Sequence, residues 1–173
     1  MLSPKLVLAA QLAALMSLMA LPGIPRAAAG QAADFSLRNL EGQAVTLSQF
    51  RGKVVVMSFW ATWCVPCQQE MPHLEKMWKE FGPLGLVILG ISEDDAKADA
   101  MVKPRVKALG VTYTILRDPQ TTVVAQFNPS KSLPFTAVVD RMGALASTHA
   151  GYAPGDEAAL RIEVEALLAK PAP

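Results

Sequence analysis

Apolar residues fall into two kinds of block along this 173-residue chain. Short runs without polar alternation, Val54-Val55-Val56-Met57 and Leu86-Val87-Ile88-Leu89, predict strands buried on both faces, over Lys53–Phe59 and Leu86–Ile91. Longer stretches repeat their apolar residues at helical spacing. Leu74, Met77, Trp78 and Phe81 mark a helix from about Cys64 to Glu80, which Pro72 should kink and Gly82-Pro83 should end. Asp95–Leu109 is a second helical stretch, closed by Gly110, with Pro104 predicting a bend or a late start. Val123, Val124 and Phe127 form the stripe of a third, with Asp118 expected as N-cap and Pro119 as first residue. The last helix carries Leu160, Val164, Leu167 and Leu168 on one face, from an Asp156 cap to about Ala169.

Alternating segments supply the remaining strands. Phe35-Ser36-Leu37 and Val45-Thr46-Leu47 flank the turn Asn39-Leu40-Glu41-Gly42. Tyr113–Leu116 is a short strand, and Phe135–Asp140 and Ala144–His149 form a hairpin around Arg141-Met142-Gly143. The order is β-β-β-α-β-α-β-α-β-β-α. Strands alternating with helices give a parallel core, and the closing hairpin adds antiparallel strands. The expected fold class is α/β: one mixed sheet with helices on both faces.

Composition changes this picture at the N-terminus. Lys5 is the only charge before an apolar run from Leu6 to Leu21. Pro22-Gly23-Ile24-Pro25 break the run, and Ala27-Ala28-Ala29 offers the small residues that a signal peptidase reads. Residues 1–29 are expected to be a secretory signal, and residues 30–173 one domain. The competing reading is an uncleaved anchor in the inner membrane, since Leu6 to Ile24 approaches a spanning length. Gln11, Pro22 and Gly23 inside the span favour cleavage. No cysteine follows the run, which excludes a lipoprotein anchor. Either reading puts the domain outside the cytoplasm, in the periplasm or its equivalent. The formal net charge of +1 provides no basic field for nucleic acid.

The chain has two cysteines, Cys64 and Cys67, where the first buried strand hands over to a helix. A disulfide enclosing two residues gains little from loop closure, which points to chemistry rather than stapling. Unpaired N–H groups and the dipole of a helix N-terminus stabilise a thiolate, which is the attacking species. Cys64, at the tip, would attack a partner disulfide, and Cys67, one turn in, would resolve the mixed disulfide. A full zinc site usually shows two such pairs, and here one pair stands with only His73 and His149. A Cu(I) site made of Cys64, Cys67 and His149 is the sharper metal alternative, because soft thiolates suit Cu(I). The plainer reading makes His149 a polar residue at a strand end and His73 a residue of the helix surface.

Trp60-Ala61-Thr62-Trp63-Cys64-Val65-Pro66-Cys67 resembles the active-site segment of the thioredoxin superfamily. It is most similar to the exported TlpA/ResA-like thiol–disulfide oxidoreductases. Pro72, eight residues after Cys64, matches the proline that kinks the family's helix. Leu133-Pro134-Phe135-Thr136 resembles the loop that carries its cis-proline. The resemblance covers roughly residues 33–169. It implies a thioredoxin fold with an N-terminal β-hairpin extension and a central insertion over about Glu93–Val111. Trp63, Val65, Pro66, Leu133 and Pro134 would contact the substrate, and Trp60 would pack beneath the site.

Ser58 departs from the family, standing where thioredoxins carry a buried aspartate that accepts the second cysteine's proton. The exported branch often places a glutamate after the next strand, and Glu93 matches that position best: partly buried and with a raised pKa it would take the Cys67 proton, the plainer reading being an exposed acid near a helix N-terminus. The uncharged Val65-Pro66 pair does little to stabilise a thiolate, which predicts a low potential and a reductase. The resemblance implies a monomer without a cofactor, acting on protein disulfides such as those of apocytochrome c or of copper-site cysteines. A membrane thiol-electron carrier would re-reduce it. A peroxidase of the related peroxiredoxin group is disfavoured, because its Pro-x-x-x-Thr-x-x-Cys frame is missing.

Overall fold

The computed structural model describes residues 30–172; the expected leader lies outside them. The order of elements follows the hydrophobic pattern. Strands β1 (Ser36–Asn39) and β2 (Ala44–Thr46) precede β3 (Val54–Trp60), helix α1 (Val65–Phe81), β4 (Leu86–Ser92) and α2 (Asp99–Ala108). Then come β5 (Thr114–Arg117), α3 (Thr122–Phe127), β6 (Phe135–Val139), β7 (Leu145–Ala150) and α4 (Asp156–Leu168). The seven strands form one sheet in the order β2-β1-β5-β4-β3-β6-β7. Strand β3 pairs in parallel with β4 and antiparallel with β6, so the expected mixed sheet is observed. Among the described residues no helix is long and apolar enough to cross a membrane.

Strand parity divides the core into two layers. Val54, Val56 and Trp60 pack with Cys67, Met71 and Leu74 of α1 and with Leu160 and Val164 of α4. Val55, Met57 and Phe59 pack on the opposite face with Val123 and Val124 of α3 and with Phe35 and Val45 of the N-terminal hairpin. Burial of β3 on both faces explains why its sequence does not alternate. Arg141 ties the far end of the sheet together. Its guanidinium donates to the carbonyls of Gly52, Leu84 and Leu168, joining the approach to β3, the turn after α1 and the end of α4.

Three helix starts differ from the sequence expectation. Helix α2 begins at Asp99 rather than Asp95 and keeps Pro104 in its interior, so the start is not set at the proline. The Asp95 carboxylate instead accepts from the N–H groups of Lys97 and Ala98 in a local turn, a competitor to helix. Helix α4 begins at Asp156 itself, and Gly155 takes the cap position at φ 109°. Helix α3 begins at Thr122, with Thr121 rather than Asp118 before it. Asp118 caps it from further back. Its carboxylate accepts from the N–H groups of Thr122, Val123 and Val124 and from the Thr122 hydroxyl.

A helix of six residues depends heavily on such a cap. Asp118→Ala is expected to lower stability by about 2 kcal/mol in denaturant titrations, and Asp118→Asn, which keeps one acceptor oxygen, by less. Equal losses in the two variants would assign the effect to something other than hydrogen-bond acceptance.

Candidate active site

The site grows from the C-terminal end of β3. After Trp60 the chain leaves the sheet, turns through Ala61–Cys64 with Cys64 N–H donating to Ala61 C=O, and enters α1. Cys64 is the N-cap, and its Sγ accepts from the Cys67 N–H at 3.3 Å. Pro66 sits in the first turn, where a missing N–H costs nothing. Cys64 and Cys67 are joined as a disulfide. The sulfur pair thus lies at the positive end of a 17-residue helix, where a thiolate is stabilised once the bond opens.

Exposure is distributed differently from the expectation. Cys67 is fully buried as expected, but Cys64 is also covered, with 5% of its surface accessible. The neighbours carry the surface instead: Trp63 is 68% and Val65 64% exposed, and Pro66 is exposed. Leu133 is half-buried and Pro134 buried, and the Leu133–Pro134 peptide is cis. Asn128 holds that loop by donating from Nδ2 to the Ser132 carbonyl. Trp60 is fully buried in the same cluster as both cysteines, and Ile115 and Tyr113 of that cluster leave no room for a side chain at position 90. A Cβ on Gly90 would lie 2.7 Å from Ile115 Cδ1 and 3.0 Å from Tyr113 Cε2.

The acid behind the sulfurs is Glu70. Residues 67 and 70 are three apart on α1 and share a face, so Glu70 lies on the apolar stripe of Cys67, Met71 and Leu74. It is buried, and its Oε1 accepts from Thr136 Oγ1 at 3.1 Å. Its Oε2 accepts a longer bond from Ser58 Oγ at 3.4 Å. Ser58 and Thr136 are register partners across β3 and β6. A carboxyl from the helix therefore reaches the place where the family's strand aspartate would stand. Burial outweighs the two hydroxyl donors and pushes the Glu70 carboxyl up to about 7. A cavity of about 200 Å³ opens beside it, lined also by Thr136, His149, Tyr152 and Leu160.

Glu70 is not among the site residues expected from the sequence. The available signal was a lone acid on an apolar stripe, one turn beyond the second cysteine, opposite a strand serine.

Glu93 is buried as expected, but it is not brought to Cys67. It continues the parity of Leu89 and Ile91, which pack on the α3 face, whereas Cys67 packs on the α1 face. Its charge neighbours are Asp118 at the start of α3 and Lys131 beyond its end. Neither carboxyl oxygen has a hydrogen-bond partner. Burial first, and then Asp118, push the group up to about 8.

His149 is engaged elsewhere. Its Nε2 lies 2.9 Å from Glu163 Oε2 and 3.3 Å from Ser147 Oγ. Among the described residues no three His, Cys, Asp or Glu side chains are placed to hold a metal ion, so the Cys64–Cys67–His149 copper set is not assembled. His73 lies on the helix surface as expected, 3.5 Å from Glu157.

Comparison with known proteins agrees with this geometry. A family model described as AhpC/TSA matches residues 28–148. The chain is 36% identical over 121 residues to the thioredoxin-like protein YneN of Bacillus subtilis, covering 70% of each. It is 32% identical over 121 residues to the thiol-disulfide oxidoreductase ResA of Halalkalibacterium halodurans, covering 70% of this chain and 67% of that one. The solved structure of the exposed lipoprotein thioredoxin Etrx1 of Streptococcus pneumoniae superposes with a TM-score of 0.64 at 30% identity. That match covers 78% of this chain and all of that one (100%).

Proposed function

The chain belongs to the AhpC/TSA family and is a thiol–disulfide oxidoreductase of the thioredoxin-like kind, and on that footing we propose that it works as an exported reductase of protein disulfides. The observation that carries the reading is the buried Glu70 carboxyl, one turn behind a cysteine pair at a helix N-terminus. In the reduced protein the Cys64 thiolate attacks one sulfur of a partner disulfide. The partner's S–S bond breaks, its second sulfur leaves as a thiolate and takes a proton from solvent. Cys67 then passes its proton to the Glu70 carboxylate and attacks the Cys64 sulfur. The partner's remaining sulfur leaves as a thiolate and takes a proton from solvent, the Cys64–Cys67 disulfide closes, and two electrons have moved to the partner. A membrane dithiol carrier restores the pair, since an exported protein has no cytoplasmic thiol pool to draw on.

Trp63, Val65, Pro66, Leu133 and Pro134 form the docking surface in this reading. The exposed indole of Trp63 is its largest apolar side chain. Residues 1–29 deliver the domain beyond the cytoplasmic membrane. Apocytochrome c and copper-site proteins carry paired cysteines that need such a reductase, and they are the partner classes proposed.

Cys67→Ser tests the reading. Expressed as the full chain, it should accumulate mixed disulfides through Cys64 that migrate as larger species and collapse with a reducing agent. Capture of proteins bearing cysteine pairs is the expected result. Recovery of the variant only as a free thiol would count against protein substrates, and a potential near that of the strong oxidants would reverse the direction.

A further inference from the structure

The mechanism above uses the sulfurs and Glu70 and leaves unexplained a buried acid beside the loop that presents them. Asp94 is 2% exposed and lies two residues beyond the end of β4. Its Oδ2 accepts from the Thr62 N–H at 2.9 Å and from Ser92 Oγ at 2.8 Å. Its Oδ1 accepts from Thr62 Oγ1 at 2.6 Å and from the Thr62 N–H at 3.1 Å. The third polar group of Thr62, its carbonyl, accepts from Gln68 Nε2 at 2.8 Å. Every hydrogen-bonding group of Thr62 is therefore held, from both sides, by residues outside the loop.

These contacts lie where β3 and β4 part. Trp60 pairs with Ser92, and the Glu93 N–H donates to the Trp60 carbonyl at 2.8 Å, the last backbone rung. Beyond it the loop backbone leaves the sheet, and the Asp94 carboxylate takes the place of the missing rung by accepting the Thr62 N–H. The next two residues are Trp63, whose side chain stands 68% exposed on the docking surface, and Cys64, the attacking sulfur. A large apolar side chain projecting into water docks well only if its backbone is already ordered, because ordering it on binding subtracts from affinity.

We propose that Asp94 is a positioning residue for the reaction: by clamping Thr62 it holds Trp63 and Cys64 in the arrangement that a protein partner docks against. It touches neither substrate nor sulfur. Loosening the clamp should weaken capture of a protein disulfide more than it slows exchange with a small one. The inference rests on the reductase reading for its kinetic arm and on the hydrogen-bond geometry alone for its spectroscopic arm.

The test uses the pre-reduced full chain in single-turnover oxidation, followed by tryptophan fluorescence, against insulin and against Ellman's reagent. Asp94→Ala and Thr62→Val should each raise the half-saturating insulin concentration about tenfold, the loss expected when one docking side chain is no longer pre-ordered. The fall in rate with Ellman's reagent should be much smaller. Thr62→Ser, which keeps both donors, should behave as the parent chain. The Thr62 amide should exchange slowly with solvent in the parent and quickly in Asp94→Ala. Equal losses on insulin and on the small disulfide, or no loss on insulin in either variant, would overturn the proposal. If Asp94→Ala does not fold, Thr62→Val carries the kinetic test, because it removes one hydroxyl donor and nothing of the acid. A parent chain that fails to reduce insulin while its Thr62 amide is protected would sink the reductase reading and leave the clamp standing.

Discussion

Cys64→Ser is expected to reduce thiol–disulfide exchange to the uncatalysed background. A serine hydroxyl is not ionised at neutral pH and forms no disulfide. Cys67 cannot take over, because it is fully buried beneath Cys64 with its N–H turned to the Cys64 sulfur. The variant should still fold: a loop with two intervening residues contributes about 2 kcal/mol by chain entropy, and the surrounding cluster is apolar and intact. Insulin reduction with a dithiol donor measures the loss, beside Cys67→Ser, which should keep the first attack. Substantial exchange remaining in Cys64→Ser would make Cys67 the entry sulfur and reverse the assigned roles.

Glu70→Gln should slow the resolving step about a hundredfold and flatten its pH dependence. In the parent chain the carboxylate becomes available as pH rises through about 7, so resolution of a preformed mixed disulfide should accelerate over that range. Glutamine accepts no proton there. Glu93→Gln is the discriminating partner: a flattened profile in that variant instead would return the role to Glu93.

Stability supplies a second readout of Glu70. The fold raises this carboxyl from 4.5 to about 7, so folding favours the protonated form. That stabilisation is complete below about pH 4.5 and is lost as pH rises through about 7, a difference of about 3 kcal/mol. Glu70→Gln lacks this slope. In urea titrations of the oxidised protein the variant should gain on the parent between pH 5 and pH 8. Glu93 is present in both chains and cancels from the difference. Parallel stability curves would mean that Glu70 is less buried than the geometry describes.

How far the site was legible depends on the range of each interaction. The Trp-Cys-Val-Pro-Cys segment is contiguous, so the sulfurs, the helix start and the redox chemistry could be read along the chain. The proton acceptor could not. Glu70 and Glu93 are both acids near the ends of predicted elements, and choosing between them requires the face that each occupies. Three residues along α1 keep Glu70 beneath Cys67, while one residue of parity along β4 sends Glu93 to the other side of the sheet. The Asp118 cap was misplaced for a similar reason. The carboxylate caps the expected helix, but from four to six residues ahead, because the helix starts at Thr122 rather than at Pro119.

By itself the sequence determined the order of elements, the burial of β3 and β4 and the place of the thiol pair, because each follows from local periodicity or adjacency. Tertiary structure alone decided which acid faces Cys67, how little of Cys64 is exposed, and that Thr62 is clamped by an acid 32 residues away. Burial shifts a carboxyl and orients a loop only through the atoms packed against it, and those come from strands and helices distant along the chain.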